Sequence, residues 1–196
     1  MIRRLVVIIH GIHTSKKDAK SWMPELMKAI VPAHGNVAAR AFTYGWTSGA
    51  AIRLPIVGWF SRRRRTAKFQ KFIAELRKEH PGAKIDVVAH SFGTWITHYS
   101  MLKGKHLTTL NRVVYMGGIV PQDEKWEDVP VNKVLCLFSK ADKVVKMAPG
   151  FGESGNMGFI HADGRRVINR SMSPYRHGNY LKPGKAWTAM AGFLNT

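Results

Sequence analysis

Ser91 stands where an apolar run gives way to a helix-periodic stretch, Val87-Val88-Ala89-His90-Ser91-Phe92-Gly93-Thr94-Trp95. With Ala89 two residues before it and Gly93 two after, strand and helix can approach closely, and a strained turn can lift the hydroxyl clear of a sheet. The five-residue string alone is common; its flanks make it specific. Such a hydroxyl becomes a nucleophile only when a base takes its proton, and the base works only when a carboxylate fixes its tautomer.

One known chain order for such a trio is serine, acid, histidine. The acids after Ser91 are Asp123, Glu124, Glu127, Asp128, Asp142, Glu153 and Asp163. Asp142 lies just past the apolar run that ends at Phe138, where a parallel sheet presents its site, and is the first choice. The cluster Asp123 to Asp128 follows the preceding run and is the alternative, although its composition reads as a solvated loop. Beyond Asp142 stand His161 and His177. His177 falls in the turn-rich Ser173-Pro174-Tyr175-Arg176-His177-Gly178-Asn179-Tyr180 and is the expected base, whereas His161, in Gly158-Phe159-Ile160-His161, reads as a strand residue. A developing oxyanion also needs two backbone N–H donors. Phe92 supplies one. The other is Ile12, because the first apolar run closes in His10-Gly11, whose glycine lets the backbone curl over the site.

Positioning these groups is the task of elements spread along the whole chain. Apolar runs at Leu5 to Ile9, Val37 to Thr43, Ile85 to Ala89, Val113 to Gly117, Val134 to Phe138 and Arg166 to Asn169 read as strands covered on both faces. Between or after them, Trp22/Leu26/Met27/Ile30, Phe69/Phe72/Ile73/Leu76, Trp95/Ile96/Tyr99/Leu102 and Trp187/Met190/Phe193/Leu194 fall at helical spacing. Alternating strand and helix predicts an α/β fold: a three-layer α/β/α sandwich around a mostly parallel sheet of about six strands. No linker or repeat divides residues 1–196, which read as one domain.

Composition narrows the class further. An apolar share of 45% excludes general disorder, and a net charge of +19 predicts attraction to polyanions. The single cysteine, Cys136, sits in an apolar run, so it reads as core and points to a reducing compartment. The opening Met1-Ile2-Arg3-Arg4 has the charge of a signal peptide, but its apolar run stops at Ile9. A cytoplasmic protein is expected. His10, His13, His90 and His98 read as structural or solvated, and no metal-ligand spacing accompanies the first two.

The blocks together resemble the α/β-hydrolase superfamily. Within it the chain is similar to small serine esterases and lipases with a strand–His-Gly–helix opening, including lipase-like and GPI-inositol-deacylase-like members. The resemblance rests on Val7-Ile8-Ile9-His10-Gly11 with Trp22 downstream, Val88-Ala89-His90-Ser91-Phe92-Gly93, Ser139-Lys140-Ala141-Asp142-Lys143-Val144-Val145, and His177-Gly178-Asn179-Tyr180 leading to Trp187 and Phe193-Leu194. It implies a triad of Ser91, Asp142 and His177, with His10 and Gly11 shaping the oxyanion loop. It also implies a minimal fold that lacks the first two strands of the full version and any large cap. Ala89 departs from the usual glycine, and Asn179 stands where relatives often carry an acid. The activity implied is cleavage of small-molecule or lipid carboxylic esters through an acyl-enzyme, with no metal or organic cofactor.

A second feature is Ile52-Arg53-Leu54-Pro55-Ile56-Val57-Gly58-Trp59-Phe60-Ser61 followed by Arg62, Arg63, Arg64 and Arg65. Ser61 reads as a helix cap, which sets four cations in a first turn against the helix dipole. That cost suggests an anionic interface, with apolar residues dipping into a membrane and the arginines meeting phosphates. The plainer reading makes Ile52 to Phe60 a loop over the cleft and the arginines a solvated face. A second function class follows: a non-catalytic polyanion-binding protein on a hydrolase scaffold. Nucleic acid is not the favoured partner, because no recognised module and no interleaved aromatics accompany the arginines.

Overall fold

The fold is given by a computed structural model; the described residues are 2–12, 16–31, 36–44, 55–104, 108–146 and 151–196, with 16–21 and 55–57 described by their backbone. Six strands, β1 (Arg4–Ile9), β2 (Val37–Phe42), β3 (Lys84–His90), β4 (Leu110–Met116), β5 (Val131–Phe138) and β6 (Val167–Ser171), form one sheet in the order β2-β1-β3-β4-β5-β6. Every pairing is parallel. The long helices are Lys16–Ile30, Pro55–Glu79, Phe92–Lys103 and Lys185–Asn195.

Two-residue alternation divides the strands between two cores. Leu5, Val7, Ile9, Val87, Ala89, Val113, Tyr115, Val134 and Cys136 join Phe69, Ile73, Phe92 and Ile96 on one face. Val6, Ile8, Val88, Val114, Met116, Leu135 and Leu137 join Trp22, Leu26, Ile30, Trp187, Met190 and Leu194 on the other. The inner strands β1, β3, β4 and β5 bury both faces and so centre on apolar runs, while the edge strands β2 and β6 are mostly exposed or half-buried; each large side chain fully buried contributes roughly 1.5–3 kcal/mol. The chain leaves β1 for one edge of the sheet and returns to its other side as β3. The carboxyl ends of β1 and β3 therefore flank the point where strand order reverses, the usual crevice of such sheets.

The basic segment departs from the sequence expectation. Its helix starts at Pro55 and runs to Glu79, so residues 55–60 are not a loop and Ser61 is not a cap. Proline suits a first turn, where its missing N–H leaves no hydrogen bond unmade. Ser61 instead accepts from Arg65 Nη1 through its hydroxyl and its carbonyl. The four arginines lie more than a turn inside the helix, beyond the reach of the end effect, and the dipole penalty disappears. His161 also differs: it is exposed in a turn before β6, not in a strand. Asp163 Oδ1 accepts the N–H groups of Arg165, Arg166 and Val167 there, a side-chain substitute for strand pairing. His13 and Ile52 to Leu54 lie outside the described residues.

Candidate active site

Ser91 follows β3 and precedes the helix Phe92–Lys103, with φ 53° and ψ −122°. It is the one non-glycine residue with positive φ among the described residues. A side chain held in that region is strained, and strain of this kind persists only where neighbours enforce it. Ser91 N–H donates to the Met116 carbonyl at 3.0 Å, while the Ser91 carbonyl accepts from Thr94 N–H at 2.9 Å and Thr94 Oγ1–H at 2.6 Å. Thr94 Oγ1 in turn accepts Ile119 N–H at 3.0 Å, so one threonine ties the turn to the chain beyond β4. Gly93 has to be small, since a Cβ there would stand 2.8 Å from the His10 carbonyl.

Asp142 and His177 arrive from the other half of the sheet. Asp142 is fully buried past β5, and its Oδ2 accepts His177 Nδ1–H at 2.8 Å. Its Oδ1 accepts the N–H groups of Val144 and Val145 at 3.2 and 3.4 Å. Buried Asn156 pins the same loop by donating to the carbonyls of Ser139 and Lys140 at 3.0 and 3.1 Å. Gly117, φ 52°, passes beneath the pair: a Cβ on it would lie 2.9 Å from Asp142 Oδ2 and 3.1 Å from His177 Nδ1. Because His177 Nδ1 carries the proton in that bond, its Nε2 has a free lone pair.

Gly11 closes the arrangement from β1. A Cβ placed there would come 2.8 Å from Ser91 Cβ, 3.3 Å from Ser91 Oγ and 3.1 Å from His90 Nδ1. The loop after β1 thus rests on the serine, and only glycine fits. Phe92 opens its helix, so its N–H has no carbonyl one turn back within that helix. Ile12 is partly buried against the core beside it.

Two residues of the site were absent from the sequence expectation. His90, read as structural or solvated, is buried with its ring centroid 4.6 Å from that of His177, and its Nε2–H donates to the His177 carbonyl at 3.1 Å. Burial first, and the neighbouring His177 second, hold its pKa well below the usual histidine value, so it stays neutral. Tyr44, just past β2, stacks on His10 at 4.3 Å and donates its hydroxyl proton to the His10 carbonyl at 3.0 Å. His10 is itself buried, which lowers its pKa, and its Nδ1–H donates to the Gly11 carbonyl at 2.7 Å. Only the adjacency of His90 to Ser91, and of Tyr44 to a strand end, could have flagged them.

The remaining candidates are placed elsewhere. Glu124 in the alternative acid cluster is bonded to buried His98 Nε2 at 2.9 Å. The four arginines have different neighbours: Arg62 faces the rings of Trp95 and Phe151, Arg63 faces Trp59, Arg65 faces Tyr44, and Arg64 lines a recess with Tyr44.

No family model matches the sequence. No curated protein matches it either. Solved structures do match along its length. The carboxylesterase from Mesorhizobium loti superposes with a TM-score of 0.61 at 16% identity, over 100% of this chain and 90% of that one. The catalytic core domain of acetyl xylan esterase from Trichoderma reesei gives 0.59 at 13%, over 99% and 98%. An a/b serine hydrolase without lid from Xanthomonas campestris gives 0.59 at 10%, over 100% and 81%.

Proposed function

From the α/β-hydrolase fold that this chain has, we propose that it is a serine hydrolase cleaving carboxylic esters through Ser91, His177 and Asp142. The observation that carries the reading is the 2.8 Å Asp142–His177 bond at the same end of the sheet as a serine held at φ 53°. Ser91 Oγ attacks the ester carbonyl carbon as its proton passes to His177 Nε2. Asp142 keeps that nitrogen free beforehand and faces the imidazolium that forms. The oxyanion is met by the N–H groups of Phe92, at the positive end of a helix dipole, and of Ile12. Collapse expels the alcohol, protonated by His177, and leaves an acyl-serine. Water, activated by His177, repeats the sequence and frees the acid.

His90 positions the base through the His177 carbonyl, and Tyr44 with His10 supports the oxyanion loop. The test is covalent labelling with a fluorophosphonate, followed by p-nitrophenyl esters of increasing acyl length. Labelling should occur at Ser91 and vanish in Ser91→Ala. A wild-type protein that takes no label and turns over no ester refutes the reading.

A further inference from the structure

The helix Pro55–Glu79 turns one stripe, Phe60, Ser61, Arg64, Arg65 and Lys68, toward a recess of about 540 Å³ that Tyr44 also lines. Residues at i, i+1, i+4, i+5 and i+8 share one helical face, so three cations address a single volume. The side chains of Arg64 and Lys68 make no hydrogen bond and no salt bridge among the described residues. The sequence supplies no local counter-charge: from Leu26 to Ala74 the chain has Lys28, Arg40, Arg53, Arg62, Arg63, Arg64, Arg65, Lys68 and Lys71, and neither Asp nor Glu. Arg64 and Lys68, one turn apart with no carboxylate paired to them among the described residues, repel each other unless an anion joins them.

The recess also borders the candidate active site. Tyr44 is its wall on one side and, on the other, stacks on His10, whose neighbour Gly11 rests on Ser91. A ligand here lies one aromatic ring from the oxyanion loop. Phe60, 62% exposed, adds an apolar edge. Arginine forks match paired phosphate oxygens, and a phosphate monoester, with a charge near −2 at neutral pH, balances this set better than one carboxylate.

We propose that the recess lined by Tyr44, Ser61, Arg64, Arg65 and Lys68 binds a phosphate group, so that the ester cleaved at Ser91 is a phosphate-bearing one. The substrate part rests on the serine hydrolase reading; the binding part does not. Equilibrium dialysis of Ser91→Ala protein with phenyl phosphate separates them. One saturable site should appear, weakened about fivefold by Arg64→Gln or by Lys68→Gln and roughly twenty-five-fold by both, in line with partly exposed ion pairs. Lys71→Gln, whose ammonium lies 3.9 Å from Glu75 outside the recess, should leave binding intact. Raising salt should weaken it. Co-sedimentation with phosphatidylcholine vesicles, with and without phosphatidic acid, identifies the source of the phosphate. Retention on acidic vesicles that phenyl phosphate competes away, and that the two substitutions abolish, assigns the recess to a lipid headgroup. Binding of phenyl phosphate without such retention assigns it to a soluble ester. No binding in either arm, or equal loss in Lys71→Gln, overturns the site. Phosphate binding by a protein that hydrolyses no ester and takes no fluorophosphonate keeps the recess and discards its substrate role.

Discussion

The sheet holds a fully buried carboxylate toward each of its two ends, and their partners differ in kind. Asp86, near the amino end of β3, faces Arg4 Nε at 3.4 Å and accepts Asn111 Nδ2–H at 2.7 Å. Arg4 and Arg112 each donate to the Leu194 carbonyl, so this cluster ties the last helix to the sheet. Asp142, past the carboxyl end of β5, faces a histidine and two backbone N–H groups instead. A guanidinium keeps its charge at every pH a protein survives, whereas an imidazole can take up and give back a proton. Burial is common to both acids; the exchangeable partner separates a site from a clamp. The strained residue belongs with the site too, since Ser91 sits at the same end as Asp142.

The sharpest break in this comparison is Ser91→Ala. Alanine keeps the Cβ that the positive φ already tolerates, so stability should hold while ester turnover falls on the order of a million-fold, by the precedent of serine proteases. Steady-state kinetics beside a thermal melt check both halves. Asp142→Asn comes next. An amide at that place presents the wrong group to His177 Nδ1 and should lower turnover roughly ten-thousand-fold. Asp123→Asn and Asp128→Asn should leave turnover nearly unchanged; a crippled Asp128→Asn moves the acid to the loop after β4.

The strands and the turn at Ser91 were legible because both are local. Strands buried on both faces must be apolar, and a strand-to-helix turn around Ser91 needs Ala89 and Gly93 beside it. What the sequence hid is non-local. Pro55 reads equally as a loop residue and as a helix start, and only the continuation through Arg62 to Arg65 decides it. Arg65 folds back to Ser61, and Arg62, Arg63 and Arg65 turn to different rings while Arg64 lines a recess, a divergence that adjacency in the sequence does not show. His90 lies one residue from Ser91 yet acts on His177, 87 positions away in the chain. Gly117 gives no hint, in its own segment, of the two side chains that forbid it a Cβ.

His90→Phe sharpens the carboxyl end. It keeps a ring against His177 and removes the N–H that holds the His177 carbonyl, which should lower kcat about tenfold, the worth of one buried hydrogen bond, with KM little changed. An unaltered kcat makes His90 a packing residue. At the amino end the expected signature is inverted: Asp86→Ala leaves Asn111 and Arg4 short of their acceptor and should cost about 1–3 kcal/mol of stability. Turnover should stay within twofold or so of wild type, because Asp86 touches nothing at the site. Urea unfolding and ester assays on one preparation separate the two signatures.

The smallest effects concern pH, and they test whether the amino end is a fixed clamp. Asp86 has its pKa raised above the usual carboxylate value, burial outweighing the help from Asn111, Arg4 and Arg112. The folded state therefore binds this proton more readily than the unfolded chain, whose value is about 3.9. By linkage, ionising Asp86 costs stability as pH rises from there through the raised pKa, and acidification restores it. Wild type should thus gain stability relative to Asp86→Asn as pH falls toward about 4. Asp163, at the entry to β6, is the opposite case. It is exposed, and hydrogen bonds from the N–H groups of Val167, Arg165 and Arg166 lower its pKa. Its contribution is present above the unfolded value and is lost as pH falls through the folded one, so the gap between wild type and Asp163→Asn should close in acid. Denaturant midpoints of the three proteins, taken at half-unit pH intervals from neutrality downward, give the two differences directly. Opposite slopes support a buried, charge-averse Asp86 beside a surface turn-former; parallel slopes mean that Arg4 and Arg112 stabilise the Asp86 carboxylate more than burial opposes it.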